Sequence, residues 1–122
     1  MDLQHQDVTE AVIGSAFEVH NVLGYGFLEK VYQRAMAVEF RARGFTAETE
    51  ADIRVVYKGV EVGQYRADLF VNGCVLVELK VAAEYSPADE AQLLNELKAT
   101  GVRVGLLINF GRRKVAFKRF VF

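Results

Sequence analysis

The chain is poor in several residues that would commit it to a particular class of protein: it has one cysteine, one proline, two histidines and no tryptophan. Cys74 alone cannot close an internal disulfide. His5 and His20 lie apart in the sequence, and with a single cysteine they make no zinc cluster, so any metal has to sit on oxygen ligands. Long apolar runs are also missing. The longest, Val104 to Ile108 with its glycine, falls far short of the roughly 20 residues that span a bilayer, which excludes a membrane helix. The opening residues, Met1-Asp2-Leu3-Gln4-His5-Gln6, contain neither a basic leader nor an apolar core. If the chain starts there, no secretory signal is expected and the cytoplasm is the default location. Net charge of one sign is lacking too. At -1 the chain offers no bulk attraction to a polyanion, so contact with nucleic acid has to come from local charge.

What is present is the balance of a folded protein: 52% hydrophobic and 25% charged residues, with no repeat, low-complexity run or proline-rich linker. A chain of 122 residues divided in two would leave halves too small to bury adequate cores, so one domain over residues 1–122 is expected. Asp7 followed by Glu10 is a capping-box pattern, and Val8, Ala11, Val12, Ala16, Val19 and Leu23 recur at helical spacing, predicting a helix over about 8–22. Gly24-Tyr25-Gly26 breaks it. Leu28, Val31, Tyr32, Ala35 and Val38 then restart the period as the buried stripe of a second helix that stops at Gly44. From Thr46 the texture turns β-branched and aromatic, with turn signals at Lys58-Gly59 and Asn72-Gly73, predicting strands near 50–57, 61–71 and 74–81. Ser86-Pro87-Ala88-Asp89 caps a third helix with Leu93, Leu94 and Leu97 as its stripe up to Gly101. Val102 to Phe110 suits a strand covered on both faces, and Val115 to Phe122 a last strand. The expected order is ααβββαββ.

Two carboxylates and an ammonium interrupt this apolar β texture: Asp68, Glu78 and Lys80. Charges among Val, Leu and Phe lose several kcal/mol of solvation unless they are paired or bound to metal. Side chains alternate along a strand, so Glu78 and Lys80 share a face with Leu76. Asp68 depends on the turn. A two-residue Asn72-Gly73 loop pairs it with Val77 and leaves it opposite Glu78. A three-residue Val71-Asn72-Gly73 loop with a left-handed Gly73 pairs it with Leu76 and puts all three groups on one face, as does an equivalent bulge. Two converging carboxylates suit a hard cation such as Mg²⁺, which keeps several waters and leaves room for substrate oxygens. A metal held there, with a lysine beside it, suits phosphodiester hydrolysis. A purely structural Asp/Glu/Lys network at a sheet end fits the same spacing.

This pattern, an acid on one strand and Glu-x-Lys on the next, resembles the PD-(D/E)XK nuclease superfamily. Gly26-Phe27-Leu28-Glu29-Lys30-Val31-Tyr32 further resembles the GxxExxY motif of a bacterial family within it. Glu18-Val19-His20-Asn21, Tyr57-Lys58-Gly59, Arg66-Ala67-Asp68, Gln92-Leu93-Leu94-Asn95 and Gly105 to Gly111 read alike, so the likeness covers nearly the whole chain. It implies a restriction-endonuclease-like α/β fold: a three-layer core with a mixed sheet of about five strands flanked by helices. It implies that Asp68 and Glu78 ligate Mg²⁺ or Mn²⁺, with the Leu79 backbone carbonyl and Glu29 as further candidate ligands. Lys80 would serve the attacking water, and Gln92 would attend the site. The chain departs from the pattern at Ala67, in the place of proline, and at Asp89 and Glu96, in the places of a histidine and an aromatic. Other roles compete: a helix N-terminus favours Glu29 without any catalytic duty, and Gln92 also fits a solvent-facing position. His20 and Tyr32 read as packing groups with hydrogen-bonded polar ends, and Cys74 as a small filler at a turn.

The basic residues Arg112, Arg113, Lys114, Lys118 and Arg119 fit either a solvated hairpin edge or a phosphate-contacting patch. The expected function is a Mg²⁺-dependent nuclease acting on DNA or RNA, as a homodimer because so short a chain has little surface beyond its core to grip a duplex. The alternative is a non-catalytic module, binding nucleic acid or protein, that retains the nuclease-like fold.

Overall fold

The computed structural model describes residues 5–84 and 86–122. Most of the opening segment on which the leader argument rests therefore lies outside the described residues. Eight elements follow in the expected order: α1 (Gln6–Leu23), α2 (Glu29–Ala42), β1 (Ala47–Tyr57), β2 (Val60–Val71), β3 (Val75–Lys80), α3 (Pro87–Thr100), β4 (Val104–Asn109) and β5 (Ala116–Val121). The strands form one sheet in the order β1-β2-β3-β4-β5. Only β3 and β4 are parallel, joined by α3 as the crossover that parallel pairing requires.

Alternation along the strands divides the core in two. Val75, Val77 and Leu79 pack with α1 and α2 on one side, while Leu76 packs with Leu93 and Leu97 of α3 on the other. The result is the expected three layers. All six residues of β4 are buried, as its unbroken apolar run predicts. α3 begins with the expected capping box: Ser86 Oγ accepts from Asp89 N, and Asp89 Oδ2 accepts from Ser86 N.

Three local expectations are corrected. The Asp7 cap does not form, because α1 starts at Gln6 behind a left-handed His5 with no side-chain cap; Val8 and Thr9 are already buried, and the helix extends to place them there. In α2 the buried residues are Tyr32, Gln33, Met36 and Phe40, whereas Leu28 and Val38 are exposed. The Tyr32 ring stacks on Phe110 at 4.5 Å, and that contact sets the rotation of the helix. In α3, Leu94 is partly exposed and Glu96 lies inside, 1% exposed.

The hairpin between β2 and β3 decides the geometry of the charged residues. Its loop has three residues, but they are Asn72-Gly73-Cys74, one position later than the expected Val71-Asn72-Gly73, closing on a Val71–Val75 pair. Asn72 and Gly73 both have positive φ, and Cys74 N–H donates to Val71 O at 3.0 Å. Asn72 is fixed as the first left-handed residue because its Oδ1 accepts from Thr46 N. An odd loop length preserves the parity of the strand. Continuing the register places Asp68 level with Glu78 rather than Leu76.

β1 and β2 also turn over at this level. The ladder omits the Glu50–Asp68 pair, and Glu50 has φ 52. Leu69 packs toward α1 and α2 while Ala67, two residues earlier, packs toward α3. Leaving the ladder frees the Asp68 carbonyl, which takes a hydrogen bond from the buried Gln33 side chain at 2.9 Å.

Beyond Lys80 the chain is clamped by Asn109, whose Oδ1 accepts from Ala82 N and whose Nδ2 donates to Ala82 O. Gly111 sits against this segment so closely that an added Cβ would lie 2.4 Å from Ala82 N. Gly111→Ala should therefore lower stability by about 1–3 kcal/mol, seen as a drop in the thermal midpoint by circular dichroism; an unchanged midpoint would show that the 81–82 segment is not fixed here.

Candidate active site

Glu78 lies on β3, the central strand, 3% exposed between the buried Val77 and Leu79. Asp68, from the point where β2 leaves the ladder, turns its Oδ2 toward β3 and accepts from Leu79 N at 2.7 Å. This bond satisfies a backbone donor that the broken ladder leaves open, and it fixes the Asp68 carboxylate beside Glu78. Lys80, two residues on, shares the face of Glu78 and places its Nζ 3.5 Å from Asp89 Oδ1 at the start of α3.

On the other side of Glu78 stands Glu96. Its Oε2 accepts from Gln92 Nε2 at 3.0 Å, while its Oε1 and Oε2 of Glu78 have no hydrogen-bond partner among the described residues. Burial pushes the Glu78 carboxyl far above its ordinary value of 4.5, and the neighbouring Glu96 and Asp68 add to the shift. Glu29, the first residue of α2, is raised as well: loss of solvation is the largest cause, Asp68 and Asp89 add to it, and Lys80 opposes it. Asp89 is held below its ordinary value, chiefly by the hydrogen bond it accepts at the Ser86 cap and secondarily by Lys80.

The structure thus gathers Asp68, Glu78, Lys80, Glu29 and Gln92 at one end of the sheet, with Gln92 reaching the acids through Glu96. Glu96 and Asp89 belong to the same neighbourhood, although in the sequence Asp89 reads as part of the helix cap and both stand as departures from the family pattern. A signal was available: Asp89, Gln92 and Glu96 follow i, i+3, i+7 spacing on one helical face. Gln33 and Asn109, which hold the backbone at Asp68 and after Lys80, carried no such signal because their partners are main-chain groups distant in sequence.

The donor set fits a hard divalent cation. It consists of the Asp68 and Glu78 carboxyl groups, and it includes a buried Glu78 oxygen without a hydrogen-bond partner among the described residues. No group of three or more His, Cys, Asp or Glu side chains is arranged to hold an ion among the described residues. Asp68 and Glu78 remain as a pair, which matches a cation that takes one or two carboxylates and keeps its waters.

The packing groups behave as expected. His20 Nε2 is 2.8 Å from the Arg112 carbonyl and its ring stacks on Phe110. The Tyr32 hydroxyl donates to Gly24 O at 2.6 Å. Lys80 pairs with Asn109 in the parallel ladder, so the basic turn after Asn109, with exposed Arg112, Arg113 and Lys114, leaves the sheet at the end that carries the site. Lys118 is paired with Glu90 at 2.8 Å.

A family model described as the PD-(D/E)XK nuclease superfamily matches residues 6–120. No curated protein matches the chain. Among solved structures, the crystal structure of SSO0001 superposes with a TM-score of 0.56 and 19% identity, over 94% of this chain and 58% of the other. An alkaline exonuclease (LHK-Exo) from Laribacter hongkongensis superposes with a TM-score of 0.52 and 13% identity, over 93% of this chain and 81% of that one. At these identities the likeness is one of fold, and this chain spans about 58% of the length of SSO0001.

The raised Glu78 value carries a pH signature. The folded chain keeps a proton that the unfolded chain releases above about 4.5, so this group's stabilising contribution is present at low pH and is lost as pH rises toward the folded value. In chelator, the thermal midpoint should fall more steeply between pH 6 and pH 9 for the wild type than for Glu78→Gln, with both pH values chosen as roughly spanning the working range. Equal slopes would show that Glu78 titrates as an ordinary acid.

Proposed function

The chain belongs to the PD-(D/E)XK nuclease superfamily, and we propose that it is a divalent-metal-dependent nuclease whose reaction is organised by Asp68, Glu78 and Lys80. The observation that carries this reading is the Asp68–Glu78 carboxylate pair, fixed by the Leu79 N–H and left with a buried, unpartnered oxygen. Asp68, Glu78 and the Leu79 carbonyl would hold Mg²⁺ or Mn²⁺, with Glu29 as an added acid at the rim. When bound, such an ion offsets charge on a phosphodiester oxygen and lowers the pKa of water.

The remaining chemistry belongs to the chain. Lys80 donates hydrogen bonds to the attacking water and to the phosphate, and an arriving phosphate competes with Asp89 for its ammonium. Glu96 and Gln92 back Glu78 from α3 and hold its side chain in place. The basic turn carrying Arg112, Arg113 and Lys114 supplies phosphate contacts that the chain's near-neutral charge does not. The run from Gly26 to Tyr32 supports placing the chain in the GxxExxY family. An apolar strip between α1 and α2, lined by Val22, Leu23, Ala35 and Val38, supports pairing with a second copy.

A second reading, a binding module without turnover, is favoured by one contact: the Lys80–Asp89 pair ties up the ammonium that the reaction needs. Cleavage assays separate the two. With Mg²⁺ or Mn²⁺ the full chain should cut labelled DNA or RNA, and chelator should abolish cutting. Glu78→Ala and Lys80→Ala should each slow it by roughly 100-fold or more, the scale of removing a group that stabilises the transition state. Tight nucleic-acid binding indifferent to chelator and to both substitutions, with no cutting, would establish the binding module instead.

A further inference from the structure

β3 pairs with β2 only from Leu69 to Val71, so residues 60–67 of β2 and their β1 partners continue past the sheet as a two-stranded arm. The arm overhangs α3, and between them lies a cleft of about 670 Å³. Two of its lining residues, Gln92 and Glu96, also stand behind Glu78. The cleft is therefore separated from Glu78 only by these two side chains of α3 and adjoins the candidate active site.

Its walls are unlike a surface made to meet the outside of a duplex. Val55, Val56 and Tyr65 line it from the arm, and Ala88, Ala91 and Ala99 from α3. Tyr65 pairs across the arm with Ile53, whose side chain is buried on the α3 side, so the ring faces α3 while remaining 49% exposed. Lys98 and Arg54, the latter also 3.8 Å from Glu61 Oε1, add cations to the lining, while its acid, Glu96, is buried. An exposed aromatic ring on apolar walls, with cations beside it, matches a nucleotide whose base face is free: the base stacks and the phosphate meets the charge. A duplex buries its base faces and presents mainly phosphates and groove edges. The volume is that of a site for a ligand of one or two nucleotides.

We propose that this cleft binds unpaired nucleotides of the substrate strand, with Tyr65 as the stacking platform and Arg54 and Lys98 as phosphate contacts, beside the bond that the site cuts. The last clause rests on the nuclease reading above; binding in the cleft does not. The enzyme would then act on single-stranded nucleic acid or on frayed and overhanging ends.

Fluorescence anisotropy on the full chain in chelator, where cutting cannot interfere, tests the inference. The probes are a labelled oligothymidylate, an oligouridylate of equal length and a blunt hairpin duplex, the first two distinguishing DNA from RNA. At least one single strand should bind more tightly than the duplex. Tyr65→Ala should weaken that binding roughly 5- to 150-fold, the range for losing one stacked base, while Tyr65→Phe retains it and the duplex is unaffected. A duplex bound at least as tightly as both single strands overturns the proposal. So does a Tyr65→Ala chain that binds like the wild type, or a Tyr65→Phe chain as weak as Tyr65→Ala. Intact Tyr65-dependent binding without metal-dependent cutting would sink only the nuclease reading.

Discussion

A carboxylate drawn out of water loses several kcal/mol of hydration unless something replaces it, and this protein draws two of them, Glu78 and Glu96, into its interior against each other. A third, Asp68, stands beside them. The ammonium nearest in sequence, Lys80, is turned to Asp89 at the edge of the group. Two of the buried oxygens have no partner among the described residues. A small α/β domain has no structural need for such an arrangement, since apolar side chains of similar size would pack the same space at lower cost. Under the proposed function the arrangement is a place kept for positive charge, and the rest of the fold is the means of keeping it.

The means are mostly backbone devices. The odd-length turn at Asn72-Gly73-Cys74 keeps Asp68 on the face of Glu78. The break in the β1–β2 ladder frees Asp68 to reach Leu79 N, and Gln33 satisfies the carbonyl that the break exposes. Asn109 ties the chain after Lys80 to the end of β4. Phe110, stacked against Tyr32 and His20, sets the helical layer that carries Gln33 and Glu29. The hydrogen bonds of Asp68, Gln33 and Asn109 satisfy backbone groups that the site would otherwise leave orphaned.

Much of this was legible in the sequence. Period-two alternation, glycine turns and the Ser86 capping box fixed the element order, and the parity argument identified that Asp68, Glu78 and Lys80 needed an odd turn. The turn itself fell one residue later because Asn72 is pinned by Thr46, a contact across 26 residues that local turn rules do not contain. The burial of Glu96 in place of Leu94 was missed for a related reason. A stripe of leucines sets the helix phase only when all of its neighbours want apolar contact, and the neighbour of Glu96 is another acid. Leu28 and Val38 were misplaced because aromatic stacking at Tyr32, and not the count of apolar residues, fixes how α2 is rotated.

Membership in the nuclease superfamily gives the charged sheet end a chemical context. The proposed function rests on a narrower physical proposal, that these acids are held together for a divalent cation. Calorimetric melting of the wild type and of Glu78→Gln over a series of Mn²⁺ concentrations tests it most directly. An ion that binds only the folded chain must raise the wild-type midpoint progressively with concentration, and replacing Glu78 by an amide should remove that rise. A wild-type midpoint indifferent to Mn²⁺, or a rise that survives in Glu78→Gln, would contradict the account.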